Sequence, residues 1–192
     1  MPAAFTLADG TQIQAPTMSR VLSLRYAAGS GWQAVELPYI GDQLAMTIVV
    51  PDDLSAFSAS LSPGRYADIV SSLESQLVSL TLPKFRFTTR QDLATFLTEL
   101  GMPLAFSSQA DFSGITTAEP ISISSVIHEA DIAVDEAGTE AAAATAVVMG
   151  DISGPVEPIT VKVDRPFLFA IRDLQTGAVL FLGQVTDPSA QG

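Results

Sequence analysis

The sequence contains no cysteine and a single histidine, His128, and its 9 lysines and arginines stand against 21 aspartates and glutamates. Without cysteine there is no disulfide framework, no thiolate metal site and no cysteine nucleophile, and redox compartment leaves no mark on the chain. One histidine is too few for a multi-histidine metal centre or a proton relay, and Ser-His-Asp catalysis would have to run through His128. The formal net charge of −12 gives the surface a sign that repels phosphate backbones and anionic lipid heads, which sets nucleic acid and membrane surfaces aside as partners. No apolar run approaches the roughly 18 residues that a bilayer span needs. The opening Met1-Pro2-Ala3-Ala4-Phe5 has neither the basic start nor the apolar stretch of a signal peptide.

What is present suffices for a buried core: 192 residues, of which 47% are hydrophobic and 16% charged, make one domain of ordinary size or one piece of a domain. No internal repeat, low-complexity tail or composition break marks a linker. Ala34 to Val50 reads as two apolar strand-like runs around Ile40-Gly41-Asp42, a hairpin that stops at Pro51. Ser62 caps and Pro63 opens a short amphipathic helix, whose Tyr66, Ile69, Val70 and Leu73 recur at helical spacing. Leu77 to Phe87 reads as a strand with an irregularity at Pro83. A second helix is expected from Thr89, with Asp92 three residues on, Leu93, Phe96, Leu97 and Leu100 on one face, and Gly101 and Pro103 as the stop. Ile121 to Val134 is β-favouring, Pro158 to Val163 alternates, and Phe167 to Ile171 pairs with Val179 to Val185 through Thr176-Gly177. The fold class is therefore α+β, with strands dominating.

One segment does not match its surroundings. Thr139-Glu140-Ala141-Ala142-Ala143-Ala144-Thr145 is helical by intrinsic propensity. Read with period two, it puts Thr139, Ala141, Ala143, Thr145 and Val147 on one face and Glu140, Ala142, Ala144, Ala146 and Val148 on the other. A strand with a small-residue face can enter a tight slot between existing strands, because little volume is displaced and few rotamers are frozen. Gly150-Asp151-Ile152-Ser153-Gly154-Pro155 follows as a turn-rich, exposed stretch that invites a protease. Ser153 has no G-x-S-x-G elbow around it, so a hydrolase finds no nucleophile there. Glu119, Glu129, Asp131, Asp135, Glu136, Glu140, Asp151 and Glu157 lack the spacing of a calcium loop and read as a solvated face. Trp32, Phe85 and Phe96 read as core.

The run Val134-Asp135-Glu136-Ala137-Gly138-Thr139-Glu140-Ala141-Ala142-Ala143-Ala144-Thr145 resembles the hinge of inhibitory members of the serpin family. Other blocks agree in order. Val161 to Ile171 (VKVDRPFLFAI) is similar to the family's carboxyl-terminal signature, and Leu82-Pro83-Lys84-Phe85, Asp92-Leu93, Leu100-Gly101 and Phe112-Ser113-Gly114-Ile115 fit its central stretch. Glu36-Leu37-Pro38-Tyr39 and Phe181-Leu182-Gly183-Gln184-Val185 complete the match. The resemblance covers essentially the whole chain, and only the carboxyl-terminal half of a serpin. It implies that residues 1–192 form a single partial serpin domain with hinge and reactive-centre loop at 134–158. Most of the family's helices and the first three strands of its large sheet would then lie outside the chain.

The resemblance further implies a suicide substrate rather than an enzyme: a serine protease cleaves the loop, which inserts as a new strand and drags the acyl-enzyme along. Glu136 and Gly138 would form the hinge, and Thr139, Ala141 and Ala143 would turn inward. The family's spacing puts the scissile bond between Ile152 and Ser153, with Met149 and Asp151 as alternatives if the count shifts. From Gln91 to Val161 there is no Lys or Arg, which disfavours trypsin-like targets and favours elastase-, subtilisin- or chymotrypsin-like ones. His128 corresponds to the histidine under the opening of the main sheet, and Asp131, three residues on, would face the other side of a strand. No cofactor is implied, no basic cluster offers itself to a sulfated polysaccharide, and the implied location is extracellular. The second reading is a serpin-like fragment that self-associates through unpaired strand edges or is cut as a plain substrate.

Overall fold

The computed structural model of the chain describes residues 1–136 and 157–190. Turn chemistry separates its strands. Strands β1 (Pro2–Thr6) and β2 (Gln12–Gly29) are joined at Asp9-Gly10, where the Asp9 carboxylate accepts the Thr11 N–H at 2.9 Å and Gly10 takes φ +84°. The expected hairpin forms from β3 (Trp32–Pro38) and β4 (Leu44–Pro51), closed by the Tyr39 N–H on the Leu44 carbonyl at 2.9 Å. Gly41 and Asp42 supply the left-handed backbone of that turn, at φ +89° and +50°. Helix α1 (Leu54–Ala59) is capped by Asp53, and α2 (Pro63–Ser71) by Ser62, whose hydroxyl accepts the Arg65 N–H at 3.2 Å. After them come β5 (Glu74–Pro83), β6 (Phe85–Asp92), α3 (Ala94–Glu99), a 3₁₀ turn at Pro103–Phe106, β7 (Ile127–Val134), β8 (Ile159–Lys162), β9 (Phe167–Asp173) and β10 (Val179–Val185). Among the described residues no helix is long and apolar enough to cross a membrane.

Of the described residues, 1–85, 133–136 and 157–190 make one compact unit, which holds an eight-stranded sheet in the order β10-β9-β4-β3-β2-β5-β8, with β1 also paired to β2. Every pairing is antiparallel except β5 with β8, where Val78 faces Ile159 and Thr81 faces Lys162. The register decides which side chains share a face. Ala27, Ala34, Val49 and Leu168 line up on one face and pack with Phe57, Ile69 and Leu73 from the segment of α1 and α2. The opposite face carries Val35, Ile48, Phe167 and Phe169, and the ring of Phe85 lies 5.7 Å from that of Phe167 and 5.8 Å from that of Phe169. Strand β4 is buried from Ala45 to Pro51, as befits a central strand covered on both faces. Gly183 sits opposite Phe169, and a Cβ there would lie 2.5 Å from the ring, so the aromatic lies on the glycine backbone itself.

The helical face also carries a polar cluster. Glu36 is 4% exposed and accepts from Arg172 (Nε at 2.9 Å, Nη2 at 2.5 Å), from Arg25 at 2.8 Å and from the Thr47 hydroxyl at 3.3 Å. Arg25 reaches on to the carbonyls of Val70 and Leu73, and the Tyr66 hydroxyl bonds Thr47 at 3.3 Å, so four adjacent strands and α2 share one network. Each buried charge in it has a partner, as burial requires.

The second unit, Arg86–Ile132, corrects three expectations. Leu77 to Phe87 is not one strand. It ends at Pro83, the Lys84 N–H turns to the Pro16 carbonyl at 2.8 Å, and β6 starts afresh at Phe85 to pair with β7. Thr89 and Asp92 do not cap a helix: both lie in β6, and the Asp92 carboxylate accepts the N–H groups of Ala94 (2.9 Å) and Val126 (3.1 Å), which hold its pKa below the usual aspartate value. Helix α3 begins only at Ala94, and Phe96, read as core, is 48% exposed. Its stop is as expected, with Gly101 at φ +105°.

Candidate functional site

The reactive bond (Ile152, Ser153, with Met149 and Asp151 as alternatives) and the hinge positions Gly138 to Thr145 lie outside the described residues. What the structure describes is the pair of stems from which that segment departs and to which it returns. On the upstream side, β7 ends at Val134, which is buried, and Asp135 and Glu136 then reach the surface. The Glu136 carboxylate forms an ion pair with Lys84. Lys84 is placed by its backbone, whose N–H donates to the Pro16 carbonyl at 2.8 Å one step past the Thr17–Pro83 pair of the β2–β5 register. Beside Glu136, a pocket of about 320 Å³ is lined by apolar Met18, Leu22, Leu80 and Leu82 together with polar Thr17, Ser19 and Arg20.

The Lys84 hydrogen bond, more than any other influence, holds the Glu136 carboxyl below its ordinary pKa. A carboxyl depressed in the folded state adds stability above its unfolded pKa and loses it as the pH falls through the folded one. The pair should therefore persist through the ordinary glutamate range and open only at more acid pH. Carboxyl-detected NMR titration of the chain and of Lys84→Met tests this: the Glu136 midpoint should rise in the variant, and an unmoved midpoint refutes the role given to Lys84.

On the downstream side Glu157 and Pro158 lead into β8, whose Val161 is buried against β5. Two further anchors fix this stem. The Val163 N–H donates to the Thr81 carbonyl, and the Asp164 carbonyl accepts from Thr6, each at 2.8 Å. Arg165 then reaches back across the chain. Its Nε donates to the Pro51 carbonyl at 2.9 Å, and its terminal nitrogens pair with Asp52 (3.1 Å) and Asp164 (3.2 Å). Val134 to Glu136 and β8 belong to the same compact unit. The sequence had singled out Glu136, but not its partner Lys84 or the clamp at Arg165, because an ion pair between residues so far apart leaves no periodic trace.

His128 lies on β7 in the second unit and is exposed. Among the described residues no hydrogen bond or ion pair engages its side chain. Asp131 stands at odd spacing on the same strand and faces Thr88 (3.4 Å) and Arg86 (3.5 Å), so no His-Asp dyad forms. Among the described residues no three acidic or histidine side chains gather as metal ligands.

A family model described as Serpin (serine protease inhibitor) matches residues 1–188. An uncharacterized serpin-like protein of Thermococcus kodakarensis is 39% identical over 189 residues, which is 96% of this chain and 44% of that protein. A serine protease inhibitor of Cyanea capillata is 35% identical over 194 residues, 97% of this chain and 51% of its own length. Among solved structures, native protease nexin-1 with heparin matches with TM-score 0.84 and 33% identity, over 97% of this chain and 51% of that one. The thermophilic serpin tengpin in its native state matches with TM-score 0.80 and 30% identity, over 97% and 50%. The chain thus spans about half the length of the relatives it matches. With the family model covering nearly every residue and two serpin structures sharing the fold, the chain belongs to the serpin family.

Proposed function

We propose that the chain carries the hinge and reactive-centre loop of a serine protease inhibitor, acting as a suicide substrate whose cleaved loop inserts into a sheet. The observation that carries this reading is the hinge-like run at 134–145 with a separately anchored stem on either side, Glu136 on Lys84 and β8 on β5. Residues 1–192 form part of a single serpin domain on this reading. The chain supplies no catalytic residue. The protease brings the chemistry and forms its acyl-enzyme at Ile152, with Ser153 leaving as the new amine, and insertion before deacylation makes the trap kinetic. Glu136, Gly138, Thr139, Glu140 and Ala141 to Thr145 take the hinge role, and His128 that of a polar contact at the opening of the main sheet. The absence of Lys and Arg between Gln91 and Val161 points to elastase-, subtilisin- or chymotrypsin-like targets acting outside the cell.

Incubation with elastase and with subtilisin, followed by denaturing gels and mass spectrometry of the cut, tests the reading. A band at the summed mass with cleavage at Ile152 is the expected result. Clean cleavage with no such band overturns trapping by this chain. It would favour the plain substrate, a reading that draws support from the half-length match.

A further inference from the structure

The net charge of −12 is not spread along the chain. Residues 92–160 contain eleven aspartates and glutamates and no lysine or arginine, while the other 123 residues carry ten acidic side chains against nine basic ones. All but one unit of the net charge thus belongs to one continuous run. The structure describes nine of its eleven acids, and all nine are exposed. From outside the run Lys84 and Arg86 bring cations to Glu136 and Asp131, which offsets two of the eleven charges. Elsewhere the charges answer one another: Arg25 and Arg172 meet on Glu36, and Arg165 pairs with Asp52 and Asp164. The run includes the segment 134–158, whose Asp135, Glu136, Glu140, Asp151 and Glu157 stand on both sides of Ile152 with no cation among them. So long a stretch of one sign costs self-repulsion. What it supplies in return is a field, which speeds encounter with a cationic partner and slows an anionic one.

We propose that this run selects a serine protease whose surface around the catalytic cleft is cationic, and that the selection acts on the rate of encounter, before any side chain enters the primary pocket. The inference rests on the reading of 134–158 as a reactive-centre loop, and it adds a second criterion to the one that reading gives. The lack of Lys and Arg beside the bond excludes a protease by its primary pocket. The field excludes one by the sign of its surface, so a protease whose pocket accepts Ile152 but whose rim is acidic is spared. No single carboxylate is a binding site on this account, because the sum of them does the steering. Charge of this kind changes the association rate more than it holds a complex together. Its effect therefore belongs in the second-order rate of cleavage and fades as salt shortens the Debye length, about 30 Å at 0.01 M and about 10 Å at 0.1 M. It is read from cleavage alone, so failure of trapping leaves it standing.

The test uses two forms of subtilisin, one made cationic by amidating its surface carboxylates with a diamine and one made anionic by succinylating its lysines. Both are normalised on a small uncharged peptide substrate, so that they differ in surface sign and not in cleft activity. At about 0.01 M salt the cationic form should cut the chain at Ile152 at least about tenfold faster than the anionic form, and at about 0.5 M the two should agree within about twofold. Glu157→Lys, at an exposed position, should slow the cationic form and speed the anionic one at low salt, each by about threefold. A merely structural effect of that replacement would move both rates the same way. Equal rates for the two forms at low salt, a ratio that salt leaves unchanged, or a Glu157→Lys chain that shifts both rates in one direction would each overturn the proposal. Fragment masses that place the cut outside residues 149–153 with both forms would remove the loop reading itself and the proposal with it.

Discussion

Replacing Glu36 by alanine is expected to lower the unfolding free energy by about 3–5 kcal/mol, the range for removing one member of a buried ion pair. The reason lies in what would be left behind. Arg172 is itself buried and spends its Nε and Nη2 on Glu36, and the Thr47 hydroxyl donates to the same carboxylate. Without Glu36 a guanidinium only 6% exposed is left beneath α2 with no counter-charge. Arg25 is different, because its side chain is 43% exposed. Its ion pair is worth at most about 1 kcal/mol, so Arg25→Ala should be mild. The double replacement Glu36→Leu with Arg172→Met should recover most of the loss, since an apolar pair of similar volume removes both charges together. Urea unfolding followed by the fluorescence of Trp32, the single tryptophan, reads all three. A Glu36→Ala chain within about 1 kcal/mol of the parent would refute the network as a support of the fold.

The second large effect concerns the proposed trap. If the loop inserts as a strand, Thr139 enters the sheet interior and Glu140 faces outward, because alternate residues of a strand point to opposite sides. Thr139→Arg would then carry a charge into a packed slot, at several kcal/mol. Insertion races against deacylation, and each 1.4 kcal/mol changes a rate about tenfold. The band at the summed mass should therefore fall by more than about tenfold for Thr139→Arg, with cleavage at Ile152 undiminished. Glu140→Arg should trap as the parent does. Equal trapping by the two variants would eliminate strand insertion in this register.

Local chemistry was readable from the sequence wherever it acts over a few residues. Ser62 followed by Pro63 gave the start of α2, Gly41-Asp42 the β3–β4 turn, and Thr176-Gly177 the β9–β10 turn, where the Asp173 carboxylate also collects three donors from the Gln175 amide and from Thr176. Longer-range features were not. Strand β2 passed unnoticed because its 18 residues serve three partners in turn, β1 from Gln12 to Pro16, β5 from Thr17 to Tyr26 and β3 from Arg25 onward, so no single alternation runs through it. Thr89 and Asp92 imitate a capping pair, and nothing in the window shows that β7 would claim those residues for a ladder instead. Leu100 and Phe96 carry helical spacing without a core to enter, which is why period alone misjudged them. Of the candidate site, the stems were marked by Glu136 and by the alternation around Val161, while Lys84 and Arg165 stood only inside family-like blocks and gained partners once the fold brought Glu136 and Asp52 to them.

The position of β9 sets an order in which the chain can be completed as it is made. β4 pairs with β3, which precedes it closely, and with β9, where Val49 meets Leu168 and Leu44 meets Asp173. During synthesis at about 5–20 residues per second, that second edge waits on the order of ten seconds. The waiting strand reads Leu44-Ala45-Met46-Thr47-Ile48-Val49-Val50, uncharged, β-favouring and without proline before Pro51, the type of segment that stacks into cross-β aggregates. One edge of β4 thus stays unpaired until the carboxyl-terminal strands leave the ribosome, and a chaperone that occupies nascent apolar strands would act first there.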